Sequence, residues 1–429
     1  MKPNNDHFDI VVVGGGPAGM MAALRAGRHG KNVLLLERNT SLGKKMRISG
    51  KGRCNLTNAG DLQDFLENFS PTREFLRSAF NAFFNADLVE FLKKQSVEVK
   101  TERGGRVFPV SDRSSTVLYA LKHSVDSAGA KVLYSARVKH IQYKGGLLEV
   151  VLDDSRSFSA KKVIVATGGL SYPLTGSTGD GYKIAESLGH AVVPFRPGLV
   201  PLDTKERWVK DCAGLSLKNV QLKIVTGKKP IVSDVGEMLF THFGISGPLV
   251  LTSSGLVVDL LNKQKKPVEL FIDLKPGLSA TQLDQRLLRD LTKHGVKIFR
   301  TVLKELLPGK LIDVFLKISH IAGGKKASQI SAQERKGLCG LLKGLPLTIT
   351  KSRLMSEAII TRGGVSTKEI NPRTMESKLI SGLYFCGEVI DVDANTGGYN
   401  MQAAFSTGFL AGESASQAMA KNTVGRIAS

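Results

Sequence analysis

Residues 9–37 constrain the fold more than any other part of the chain. An apolar, β-branched run at residues 10–13 reads as a buried parallel strand. Glycines then fall as G-x-G-x-x-G at Gly14, Gly16 and Gly19, with Pro17 and Ala18 opening a helix expected to run to about residue 30. A second apolar run, Val33–Leu36, ends on an acid, Glu37, eighteen residues after Gly19. Each part has a task in holding a dinucleotide. Gly14 permits the tight turn, Gly16 lets the backbone approach a pyrophosphate, and Gly19 brings helix and strand together. The helix N-terminus offers free N–H groups to the phosphates, and Glu37 can accept hydrogen bonds from ribose hydroxyls. The alternative is an ordinary βαβ unit with a glycine-rich turn.

A chain of 429 residues exceeds one compact core, so two or three domains are expected. With 42% hydrophobic and 23% charged residues it reads as an ordinary globular protein. No apolar run approaches the eighteen residues a membrane span needs, and no signal-peptide core opens the sequence. Cys54, Cys212, Cys339 and Cys386 are scattered without a C-x-x-C pair, which argues against zinc and against a nearby-cysteine redox disulfide. No metal site and a reducing, cytoplasmic setting are therefore expected. The charge balance is unusual: 60 Lys plus Arg against 38 Asp plus Glu gives +22 and a pI near 9.8. Such a surface attracts polyanions, either nucleic acid or an anionic membrane, unless the whole lineage is basic.

Beyond Glu37, residues 39–58 read as a loop rich in glycine and cations, including Lys44, Ser49, Gly50, Gly52, Arg53 and Cys54. It lies at the carboxyl edge of the expected sheet, where open α/β sheets bind ligands. Two helices are expected over 71–94, with Pro71 at a first helical position and Asn85 as a cap. Gly104-Gly105 turns between strands at 97–102 and 106–110, and a helix at 113–128 closes on Gly129. Strands follow at 131–135, 137–143 and 147–152, and residues 161–165 return to the parallel sheet. Residues 195 to about 275 read as short β runs, and 279–343 as helices with capping-box spacings at Ser279…Gln282 and Ser331…Glu334. The region 195–350 holds 25 basic and 13 acidic residues, so +12 lies there; the first sixty residues hold ten and three, giving +7. A strand over 379–391 and a helix from Tyr399–Met401 to about Met419 complete the pattern, with no second G-x-G-x-x-G after a strand. One dinucleotide is thus expected to bind firmly, and a nicotinamide donor, if used, only transiently.

Six stretches carry a resemblance: GGGPAG with Glu37, SGKGRCN, ATGGLSYPLTGSTGDGY (166–182), THFGISGP (241–248), TRGGVS (361–366) and GLYFCGEVIDVDANTGGYNMQ (382–402). In this order they resemble the BaiN-like flavoprotein family over essentially the whole chain. The resemblance implies an α/β fold: a Rossmann-type, two-dinucleotide-binding FAD domain (1–194 and 352–429) with an inserted β-barrel (195–278 and 344–351) and a helical subdomain (279–343). It implies FAD contacts from Gly14, Gly16, Pro17, Ala18, Gly19, Glu37, Arg38, Lys44, Ser49, Gly50, Gly52, Arg53, Cys54, Val138, Thr167, Gly168, Gly387, Glu388, Asp391, Asn400 and Met401. Lys51 stands where a glycine is common, and Ala404 and Phe405 replace a larger aromatic pattern; these departures bear on the substrate pocket.

The family implies an FAD-dependent oxidoreductase, with NAD(P)H as the transient donor. Its members are linked to reduction of conjugated double bonds in steroid-like acids and of uridine to dihydrouridine in ribosomal RNA. The expected chemistry is hydride transfer to an activated C=C bond, with an acid protonating the neighbouring carbon. Cys54, His242, Tyr172 and Tyr399 are the candidate donors; Arg53 and Arg362 could polarise a carbonyl. The N-terminus of the helix near Tyr399 is expected to face the flavin N1 edge, so that Gln402→Glu would lower the reduction potential. Charge favours structured ribosomal RNA as the partner. A small-molecule enone reductase or amine oxidase is the alternative, and a non-catalytic flavin-binding RNA partner is the third class.

Overall fold

The computed structural model describes residues 7–69, 72–227 and 229–417. The chain divides into two compact units, Met1–Arg196 with Ile360–Ser429, and Pro197–Ile359.

In the first unit, β1 (His7–Val13) lies between β2 (Val33–Leu36) and β3 (Ser157–Val165), parallel to both. Ile10, Val11, Val12, Val13 and every residue of β2 are buried, which is why these strands read as continuous apolar runs. α1 (Pro17–Arg28) connects β1 to β2, and Lys131–Leu133 extends the sheet beyond β2. β3 changes partners along its length. Its first half pairs antiparallel with Leu147–Leu152, and its last three residues pair in parallel with Leu383–Phe385. The Tyr399–Ser416 helix packs on α1 at backbone contact: a Cβ on Gly408 would lie 2.2 Å from the Ala18 carbonyl oxygen, and one on Gly412 2.4 Å from that of Ala22.

The second unit contains a closed antiparallel barrel. Its six strands run in the order Ser216–Ile224, Gly236–Phe240, Gly244–Ser246, Leu202–Thr204, Leu345–Ser352 and Val268–Asp273, and the last pairs with the first. Closure removes exposed strand edges. The helices Ala280–Lys293, Phe299–Leu303, Gly309–Ser319 and Ala332–Lys343 lie between the last two strands in sequence. Ser279 with Gln282 and Ser331 with Glu334 form the expected reciprocal caps.

Several expectations are corrected. Residues 39–58 are not one loop: they hold a helix at Lys44–Ile48, a tight turn at Ser49–Gly52 and a strand at Thr57–Asn58. Asn85 is the first helical residue rather than the cap; Asp87 accepts from the Phe84 N–H, and the Asn85 amide donates to the Asn58 and Gly60 carbonyls. The β-rich stretch contains a long helix, Pro248–Gln264. The strand over 379–391 shortens to Leu383–Phe385. Pro71 and Met419 lie outside the described residues. Residues of the 352–359 stretch hold to the second unit, where Arg353 N donates to the Pro201 carbonyl and Ile359 N to that of Leu199.

Candidate cofactor site

Gly14 has φ +107°, and a Cβ there would lie 2.5 Å from the Ala166 carbonyl oxygen, so only glycine fits the turn from β1 into α1. Gly19 serves close approach: its Cβ would lie 1.8 Å from the Gly14 oxygen. Gly16 differs, because nothing lies within 4 Å of where its Cβ would project. That open space faces an uncapped helix end. Gly16 gives α1 no side-chain cap, and no acid stands in the first turn. The first-turn N–H groups thus keep their partial positive charge for an anion. The turn fits a dinucleotide diphosphate.

Glu37 is buried beside this turn. One carboxylate oxygen accepts from Gly15 N at 2.8 Å, and the other from Asn39 N and Nδ2, each at 2.7 Å. An ionised carboxylate offers about four lone-pair sites, so capacity remains for a ribose hydroxyl. Gly43 N donates to the Gly15 carbonyl at 2.9 Å, which starts the Lys44–Ile48 helix directly beside the glycine turn. Lys44 Nζ donates to Asn39 Oδ1.

A polar network joins this helix to the segments around Gly169 and Gly387. Lys45 Nζ lies 2.6 Å from both Glu388 Oε2 and Ser171 Oγ. Glu388 Oε1 accepts from Thr361 N at 2.9 Å, while Thr361 Oγ1 accepts from Leu170 N and Ser171 N. A Cβ on Gly387 would lie 2.8 Å from that of Ala18, which places the Gly387 turn against the first turn of α1. On another side, Asn58 Nδ2 donates to the Gly104 and Gly397 carbonyls, and Gly398, at φ +105°, fits tightly over the Thr57 carbonyl. Four of the quoted motifs therefore converge within the first unit. Lys45, Ser171 and Thr361 were missed in the sequence, because adjacent cations in a glycine-rich stretch carry no periodic signal of which one turns inward.

The remaining candidates separate clearly. Arg38 donates to Asp180 at 2.9 Å, and Arg137 grips the same carboxylate with two bonds of 2.9 Å. The Arg137 guanidinium holds the Asp180 carboxyl below its ordinary range. Arg53 pairs with Glu102 at 2.7 Å and lies 4.0 Å from the Phe108 ring centre. Cys54 is fully buried by protein alone, which keeps its thiol from reaching a substrate, and that burial pushes the thiol up to about 12. Ser49 Oγ donates to the Met46 carbonyl, Val138 is buried in a strand, and Thr167 Oγ1 is buried without a partner. Gly168 adopts φ +74° in the turn after β3. Asn400 uses its amide on its own loop, bonding both N and O of Ala394, while Met401 packs on the core. Burial raises the Asp391 carboxyl, and Arg362 pairs with Asp393 at 3.4 Å. Tyr399 sets its ring edge-on to Phe65, 4.8 Å away, partly buried against the core. Gln402 points into the protein, with its amide donating to Ser406 Oγ and the Phe83 carbonyl. Gln402→Glu would bury a charge there, so it cannot report on the flavin edge. His242 is exposed on a turn of the second unit, its ring 4.9 Å from that of Phe243.

The HI0933-like protein Rossmann domain model matches residues 8–414. The chain belongs to the HI0933-like family. The 3-dehydro-bile acid Δ(4,6)-reductase of Clostridium scindens is 33% identical over 410 residues, covering 95% of this chain and 99% of that protein. The ribosomal RNA dihydrouridine synthase of Haemophilus influenzae is 32% identical over 410 residues, covering 94% and 98%. The 3-ketosteroid Δ1-dehydrogenase structure from Sterolibacterium denitrificans superposes with a TM-score of 0.52 at 12% identity, over 96% of this chain and 99% of that one, a likeness of fold. This HI0933-like chain thus has the expected fold, a Rossmann-type FAD domain with an inserted barrel and helices. Among its described residues no helix is long and apolar enough to cross a membrane.

Proposed function

We propose that this chain reduces an activated carbon–carbon double bond, and that its substrate is uridine within ribosomal RNA. The chain is an FAD-dependent oxidoreductase. Two relatives are named for Δ(4,6) reduction of a bile acid and for making dihydrouridine in ribosomal RNA, and both names describe saturation of a C=C bond. The observation that favours RNA is the net charge of +22, with +12 between residues 195 and 350 and +7 in the first sixty.

Bound in its reduced form, FAD would supply the hydride for such a saturation. The α1 N-terminus and Gly16 would hold the diphosphate, and Glu37 would accept from the adenosine ribose. Lys45, Ser171, Thr361 and Glu388 brace the turn that meets α1. The proton for the neighbouring carbon comes from Tyr172. This residue adopts φ +54° and leads into the tight Pro173–Thr175 turn. It directly follows Ser171 of the polar network, and its half-buried phenol carries a proton at neutral pH. NAD(P)H docks transiently, since the sequence offers one fingerprint for a firmly held dinucleotide.

The test combines ribosomal RNA, the FAD-loaded protein and a nicotinamide donor. Dihydrouridine is expected, and Tyr172→Phe should cut its formation about a hundredfold while flavin reduction by the donor is unchanged. The 33% identity to the bile-acid reductase supports a second reading, an enone reductase of small molecules. Unmodified RNA alongside rapid reduction of a steroid-like enone would establish that reading instead.

A further inference from the structure

The Ser114–Ser127 helix buries Val117, Ala120, Leu121, Ser124 and Val125 in the first unit. Its outer face carries Tyr119, 74% exposed, and His123 one turn later; the two rings stack with centres 6.3 Å apart and planes 10° off parallel. Their neighbours on that face, Ser115, Lys122 and Asp126, are polar and exposed. Arg113 stands exposed at the start of the helix, and Ser114 Oγ donates to the Arg47 carbonyl at 2.8 Å, which brings the backbone of exposed Arg47 beside it. Among the described residues, Arg47, Arg113 and Lys122 have no carboxylate partner, whereas nearby Arg53 and Lys100 share Asp112. From Ser115 to His123 the face spans about 12 Å at the helical rise.

We propose that this face is a contact for single-stranded or looped RNA, in which an unpaired base stacks on the Tyr119–His123 pair and phosphates lie over Arg47, Arg113 and Lys122. The proposal rests on the RNA reading above. A protein interface needs an apolar centre, and this face has one aromatic pair surrounded by polar groups. An exposed π-surface flanked by unneutralised cations matches a nucleotide, which offers a stacking face and an anion together. Asp126, at the far end of the face, turns the phosphate path back towards Arg113.

The test is fluorescence anisotropy of the FAD-loaded protein with a single-stranded oligouridylate across a range of salt. Tyr119→Ala with His123→Ala should weaken binding about fivefold or more without changing the salt slope, while Tyr119→Phe binds as wild type does. Arg113→Ala with Lys122→Ala should lower the log–log salt slope by about 0.7 per lost contact. The flavin absorbance should be the same in every variant, reporting an intact fold. Wild-type affinity in the aromatic double variant overturns this proposal alone; no RNA binding by wild type overturns the RNA reading with it. A concentration-dependent dimer that Tyr119→Ala abolishes, with RNA affinity unchanged, assigns the face to a second copy and also overturns it.

Discussion

His190 is buried, with Nε2 2.8 Å from Ser377 Oγ and its ring edge-on to Phe385. Ser377 Oγ already accepts from Leu379 N and Ile380 N, so its proton goes to His190 and the ring must be neutral at Nε2. A protonated ring would set donor against donor. Burial accordingly lowers the His190 pKa below its ordinary 6.5. The sign follows: the unfolded chain binds the extra proton, so this contribution to stability is present above about 6.5 and is lost as pH falls towards the lower folded value. Melting temperature should drop on acidification from pH 6.5, and His190→Asn, less stable at pH 7, should show a flatter profile through that window. Equal pH profiles for the two proteins would remove His190 as the cause. Cys54 makes the complementary point. Its place in SGKGRCN suggested chemistry, yet its side chain is enclosed by protein.

At the scale of elements, Gly408 and Gly412 let the Tyr399–Ser416 helix touch the α1 backbone. Gly408→Val should overpack this contact, costing about 1–3 kcal/mol or more in urea unfolding, and should release FAD because the first turn of α1 shifts. Retained stability and flavin would show that the helices can separate without harm. The β1–α1–β2 unit was legible in the sequence because every step is local: a strand composition, a turn that demands glycine, and an acid at fixed distance. The capping boxes were legible for the same reason. The Pro248–Gln264 helix was not. Its residues 249–258 mix β-branched, small and glycine residues, and what makes it a helix is burial of Leu249, Val250, Ser254, Val257 and Val258. Lys45 was equally hidden, since its partner Glu388 is 343 residues away.

At the scale of the molecule, the surplus of cations becomes a measurable slope. Lys263, Lys265 and Lys266 are exposed at the end of the Pro248–Gln264 helix, where they also face its negative pole. Their joint replacement by alanine should reduce the salt dependence of RNA binding by about 0.7 per phosphate contact and leave the flavin spectrum unchanged. An unchanged slope would assign them to the helix end alone. The partner change along β3 has a consequence in time rather than space. Val165 pairs with Phe385, 220 positions later, and the intervening barrel closes on its own strands. At ordinary synthesis rates of 5–20 residues per second, the nascent sheet waits roughly ten to forty seconds for that strand. The inserted unit can finish folding during the wait. Gly387 and the Tyr399–Ser416 helix arrive later still, so the glycine turn emerges long before the segments that brace it. Completion of the main sheet is therefore a late event in the birth of the protein, and until then one edge of it stands open to whatever strand it meets.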